Sequence, residues 1–304
     1  MPVQGQAAAN VQRHRGPSRQ TRSFLWGYFF ILPNLVLTLI FFIYPLFEAF
    51  RLSFYRAGLA ATEFIGFDNY VRIFQEPMFV RSIGNTFLFV IIIVPVIVIA
   101  SFSLAAFMQS LSPRMKTMFR MFFYLPAVCT PVVLTMVWSW MYNTNTGLLN
   151  YVVGLFGIGP VEWLGTPSMA IISICVVVIT WSIGEPIILY LASMDSVPKE
   201  YYEAAEIDGA SPFQRFLHIT LPAIANTSLF VILTTTIAVF QIFVVIQLLT
   251  GGGPFYSTET LVFTIYRTAF VSVEFGLASA QSVILFLIIM VISLIQLKFF
   301  KPKV

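Results

Sequence analysis

The sequence predicts an all-α, polytopic membrane protein, on three observations. Of 304 residues, 58% are hydrophobic and 10% are charged; soluble globular domains carry about 25% charged residues. Six stretches stay apolar for the roughly 20 residues needed to cross ~30 Å of hydrocarbon. Each is apolar all round, not alternately, which fits helices and excludes barrel strands.

The six transmembrane helices are expected near 24–46, 83–108, 119–142, 169–194, 222–249 and 277–299. Before the first lies a disordered basic cytoplasmic leader, 1–23, with Arg13, Arg15, Arg19 and Arg22. The apolar run after it is too long for a signal peptide, and no small-residue cleavage site follows. Residues 24–82, the first helix and its loop, are expected as a peripheral addition to a five-helix core at 83–300. Of the 17 Lys and Arg residues, twelve fall in the leader, the second and fourth connections and the tail. The other side has Arg51, Arg56, Arg72, Arg81 and Arg267. The bias makes both termini and the loop at 196–222 cytoplasmic.

Several function classes lose support here. Cys129 and Cys175 lie in apolar runs and read as small hydrophobes. His14 and His218 are isolated, so no metal site is expected. No Gly-x-x-x-x-Gly-Lys-[Ser/Thr] phosphate loop occurs, so the chain is not expected to hydrolyse ATP. No His-Glu-x-x-His or nucleophile constellation suggests a membrane enzyme, and no nucleic-acid partner is expected.

The polar stretch 201–222 lies between two apolar segments. Its chemistry predicts two short helices. Ser196 caps the first, with Pro198 in its opening turn. Asp208-Gly209 ends it, since Gly takes the left-handed conformation of a helix C-terminus. Ser211, Pro212 and Gln214 make a capping box for the second, and Pro222 opens the fifth membrane helix. Glu203 offers charge to a basic partner, Ala204 and Ala205 allow close approach, and Phe213 and Phe216 are apolar knobs for a groove.

The spacing Glu203-Ala204-Ala205, Gly209, Ile219, Leu221-Pro222 resembles the EAA loop of binding-protein-dependent ABC importer permeases of the carbohydrate-uptake class, the maltose and glycerol-phosphate transporter type. Ala238 to Pro254, Ile65 to Tyr70, and Tyr266, Phe270, Gly276, Ala278 and Ala280 resemble further signatures of that family. The resemblance covers about residues 25–300. It implies a type I importer permease fold in a bacterial inner membrane, with Glu203, Ala204, Ala205, Asp208, Gly209, Phe213, Phe216, Ile219 and Pro222 coupling to an ATPase. It implies a second, homologous permease, a dimer of ATPase subunits that bind the ATP and Mg, and an extracytoplasmic solute-binding protein touching Gly252, Gly253 and Pro254. No cofactor is expected in this chain.

Polar groups at membrane depth are costly and point to function. Glu185, between Gly184 and Pro186, marks a kink, and either lines the pathway or satisfies local backbone. Trp181, Gln241 and Gln281 join it as candidate pathway residues. Interhelical hydrogen bonds are the alternative for the glutamines, and interfacial anchoring is the alternative for Trp138 and Trp140. No Lys or Arg lies deep in a span, which favours a neutral sugar over glycerol-3-phosphate or a glycerophosphodiester. A secondary transporter would need internal repeats and more ionisable groups in the spans. An exporter-type domain would extend its spans into the cytoplasm.

Overall fold

The computed structural model describes residues 19–58 and 62–299, with side-chain detail from Tyr28 onward. The leader expected over 1–23 lies largely outside the described residues. The chain divides into two units, Met1–Arg51 and Leu52–Val304.

The first unit contains α1 (Arg19–Thr38), a π-helical turn at Leu39–Ile43, and most of α2 (Tyr44–Leu52). No residue from Tyr28 to Phe47 is buried. A helix apolar on every side needs lipid or another chain around it.

The second unit opens with a hairpin of β1 (Tyr55–Ala57) and β2 (Thr62–Phe64), antiparallel with Arg56 opposite Glu63. α3 (Asp68–Gln75) leads into α4 (Pro77–Gln109). There follow α5 (Pro113–Val128), α6 (Pro131–Met141), α7 (Leu148–Gly154), α8 (Pro167–Ser182) and α9 (Gly184–Asp195). α10 (Lys199–Ile207), α11 (Pro212–Arg215) and α12 (Leu221–Ala223) form the polar loop. α13 (Ala225–Phe240), α14 (Val244–Leu249), α15 (Leu261–Tyr266) and α16 (Phe275–Phe299) complete the unit. The hairpin is the one departure from an all-α fold among the described residues.

α4 is the spine. Its 33 residues span about 50 Å at 1.5 Å per residue. Three cores are strung along it. Phe79 joins Ile73, Phe240, Leu261 and Leu277. Phe89, Ile93 and Ile97 join Ile174, Val177 and Ile246. Ala105 and Met108 join Ile187, Tyr190, Leu191 and Ile224. In lipid the hydrophobic effect does little to join helices, so close packing has to do it. Small residues permit that packing. A Cβ on Gly184 would stand 2.5 Å from the Phe123 carbonyl oxygen, so this glycine brings α9 against α5.

Three helices are unbroken and long enough to span a membrane: Tyr28–Leu52, Pro77–Gln109 and Phe275–Phe299. The other three expected spans are bent pairs. α8 and α9 meet at 44°, at the kink foreseen around Glu185. The stretch 119–142 is not a straight helix: α5 and α6 meet at 98°. Cys129 and Thr130 are extended between Pro126 and Pro131, as the residue before a proline prefers. The expected fifth span, 222–249, starts later and stops earlier. Pro222 belongs to the helical stretch Pro212–Ala223, which meets α13 at 61° across Ile224. α13 ends at Phe240, and α14 resumes at Val244.

Candidate functional sites

At one end of the second unit, the two short helices form as their capping chemistry requires. Gly209 takes φ +76 after Asp208 and turns the chain. The capping box is complete. The Ser211 amide donates to Gln214 Oε1 at 2.7 Å, and the Gln214 amide donates to Ser211 Oγ at 3.3 Å. Ser196 differs from expectation. It closes α9, its hydroxyl donating to the Ser193 carbonyl at 2.7 Å, while Pro198 takes the N-cap of α10 without a side-chain cap.

Two polar contacts tie the loop to itself. Tyr202 OH and Thr220 Oγ1 lie 3.0 Å apart, and Arg215 pairs with Glu206 at 2.9 Å. Phe216 is not free for a partner. Its ring packs 5.5 Å from Phe102, which meets Tyr190 at 5.6 Å. A π-helical turn, Phe216–Thr220, begins at this residue. Phe213 does stand out, 68% exposed. Glu203, Ala204, Asp208, Gly209 and Pro222 are exposed, while Ala205 and Ile219 are half-buried. Glu203 makes no hydrogen bond or ion pair among the described residues. The sequence reading passed over Ile207, which is 87% exposed in the middle of this surface. A 320 Å³ hollow between the two short helices is lined by Ala205, Asp208, Gly209, Gln214 and Ile219.

Nearer the middle of the unit, Trp181, Glu185 and Gln241 line one 440 Å³ groove with Pro131, Thr234 and Phe243. Different elements bring them together. Trp181 is the last residue but one of α8, Glu185 sits in the first turn of α9, and Gln241 follows the last residue of α13. Gln281 is elsewhere. It is fully buried in α16 near Leu277, Ala280 and Leu285, and its amide has no partner among the described residues. Trp138 packs 5.3 Å from Tyr142, inside the core, while Trp140 is exposed.

The Gly-Gly-Gly-Pro turn follows α14. Gly251 and Gly252 take φ +55 and +88, and Gly253-Pro254 is cis. Gly252 is buried, and any Cβ there would collide with the Glu259 carboxylate. Gly253 and Pro254 are half-buried. The exposed tip is Phe255 and Tyr256, both at positive φ, a rare conformation for aromatic residues. The turn is well tied. Asn85 Nδ2 donates to the Tyr256 and Glu259 carbonyls at 2.8 and 3.0 Å. Thr258 Oγ1 donates to the Gly253 carbonyl at 2.6 Å. Glu259 is fully buried and faces Arg267 at 3.4 Å. Burial pushes its carboxyl above the usual range, and Arg267 offsets part of that rise.

Residues 74–304 match the family described as binding-protein-dependent transport system inner membrane component. The chain belongs to this permease family. The probable ABC transporter permease YurN of Bacillus subtilis is 36% identical over 90% of this permease and 95% of its own length. The sn-glycerol-3-phosphate transport permease UgpA of Yersinia pestis is 32% identical over 95% and 98%. The trehalose/maltose permease MalF of Thermococcus litoralis is 32% identical over 90% and 92%. Among solved structures, a bacterial alginate ABC importer matches at TM-score 0.82, with 24% identity over 92% of this permease and 96% of that chain. At that identity the likeness speaks for the fold. The permease is a membrane-embedded transport subunit.

Proposed function

We propose that this permease is one of two membrane-spanning subunits of an ATP-driven importer. It moves a sugar or sugar-like solute handed over by an extracytoplasmic binding protein. Both termini and the 196–222 loop face the cytoplasm of a bacterial inner membrane. A dimer of ATPase subunits there binds the ATP and Mg, and this chain hydrolyses none. The observation that carries the reading is the surface of Glu203, Ile207 and Phe213. An acidic group and two large apolar side chains stand exposed, the acid with no partner among the described residues, as a docking face requires.

Glu203 would meet a basic residue of the ATPase, and Ile207 and Phe213 would enter its groove. Ala204, Ala205 and Gly209 let the two backbones approach. Asp208 ends α10 ahead of the Gly209 turn, Ile219 and Pro222 lead towards α13, and the inward Phe216 packs on Phe102 of α4, which meets Tyr190 of α9, so ATPase closure is passed to α4 and α9. Trp181, Glu185 and Gln241 line the solute path, with the buried Gln281 in the supporting shell. Gly252, Gly253 and Pro254 shape the turn that meets the binding protein. The test is purification of the complex in mild detergent, wild type beside Glu203→Ala. Wild type is expected to bring down an ATPase and a second permease, with ATP hydrolysis stimulated by the loaded binding protein. Glu203→Ala should lose that stimulation. Recovery of the chain alone, with transport surviving ATP depletion, would overturn the proposal.

A further inference from the structure

The groove that holds Trp181, Glu185 and Gln241 has a charge character its relatives' names do not foretell. Its lining carries one acidic side chain and no Lys, Arg or His. Glu185 is exposed to it and makes no ion pair or hydrogen bond among the described residues. Four basic residues of this unit are engaged with other carboxylates. Lys116 and Arg120 hold Asp195 at 2.9 and 3.3 Å, Arg215 holds Glu206, and Arg267 holds Glu259.

Recognition of a phosphate or carboxylate calls for Arg or Lys, which answer it with charge-assisted hydrogen bonds. The groove offers the reverse. Glu185 repels an anion, and the Trp181 ring attracts a cation through its negative face. The Gln241 amide and the Thr234 hydroxyl suit sugar hydroxyls. UgpA is named for sn-glycerol-3-phosphate and the matched importer for an acidic polysaccharide, so anions are within the reach of this fold. We infer that this groove turns anionic solutes away, with Glu185 as the discriminating group, and admits neutral or cationic saccharides. The inference rests on the groove being the solute path.

Trp181 supplies a probe that does not depend on knowing the solute. The purified complex would be placed in nanodiscs and its fluorescence quenched by iodide, caesium and acrylamide. A Trp181→Phe complex supplies the background to subtract. A single negative charge about 7 Å away changes the local concentration of a monovalent ion by about threefold. Acrylamide and caesium should therefore quench Trp181, with iodide at least about threefold weaker than acrylamide. Glu185→Gln should raise iodide quenching to the acrylamide level and lower that of caesium. Iodide quenching equal to acrylamide's in wild type, or indifferent to Glu185→Gln, would overturn the inference. So would a Trp181 that no quencher reaches. These failures leave the importer reading intact wherever the ATPase and second permease still co-purify. Loss of those partners would strike the importer reading first.

Discussion

At the hairpin end of α4, the chain is fastened from several directions. Asn69 Nδ2 donates to the Ser53 and Tyr55 carbonyls at 2.9 Å each, and Tyr70 OH donates to Ser53 Oγ at 2.7 Å. Arg72 bridges Glu76 at 3.3 Å and Glu274 at 2.9 Å. Gly276 of α16 lies so close to β1 that a Cβ would collide with the Tyr55 carbonyl oxygen. At the other end, the loop of α10 and α11 meets the bundle through the ring of Phe216 on Phe102 and leaves Ile207 and Phe213 exposed. One end is built for fixed shape and the other for surface kept available. The difference teaches that this permease separates a fastened end from an exposed one along a single helix.

The sharpest way to break the comparison is Gly276→Ala. Its methyl group meets backbone, which cannot rotate away, so a loss of about 3 kcal/mol is expected. Thermal unfolding of the purified complex would read it, and a wild-type midpoint would mean the hairpin is loosely seated. Phe216→Ala should cost about 2 kcal/mol by emptying the contact with Phe102, whereas Phe213→Ala should leave stability unchanged and weaken ATPase capture. Equal effects of the two would erase the distinction between inward and outward faces. Gln281→Leu is expected to stabilise by about 1 kcal/mol, because it removes an amide buried without partners. A loss instead would reveal a hydrogen bond there.

Glu259 gives a dependence on pH. Its carboxyl titrates higher in the folded than in the unfolded chain, so the folded state binds the proton more tightly. Stability from this group is present below the ordinary carboxylate range and is lost as pH rises through the folded value. Unfolding midpoints should fall across that window in wild type and flatten in Glu259→Gln. Unchanged pH dependence in the variant would assign the effect elsewhere. The smallest stability effect belongs to Glu203→Ala, within about 0.5 kcal/mol because the side chain is exposed. Its loss should appear only in stimulated ATP hydrolysis.

Local chemistry was legible before the structure. Ser211 and Gln214 could be paired by spacing, Gly209 by its need for positive φ, and the kink at Glu185 by its glycine and proline neighbours. The 98° bend also had a signal, in Pro126 and Pro131, but the apolar run around it reads as uninterrupted by hydropathy alone. Facing was not legible. Helices apolar all round carry no periodicity to say which side meets protein, so nothing in the sequence separated the groove-lining Gln241 from the sealed Gln281. Phe216 turns inward onto Phe102, a contact far away in sequence that spacing cannot announce. The hairpin strands are three residues each, too short for an alternating pattern. Ile207 was overlooked because its exposure depends on where α10 ends, not on its neighbours.

α4 is also a measure of the bilayer. At about 50 Å it exceeds the ~30 Å of hydrocarbon by roughly 20 Å, so it must lean or project. A thicker membrane draws such a helix upright and a thinner one tips it over. The hairpin and the 196–222 loop, one towards each tip, therefore shift relative to the headgroups on both sides whenever lipid length changes. Acyl-chain length becomes a control on how far each end of the subunit stands from the membrane surface.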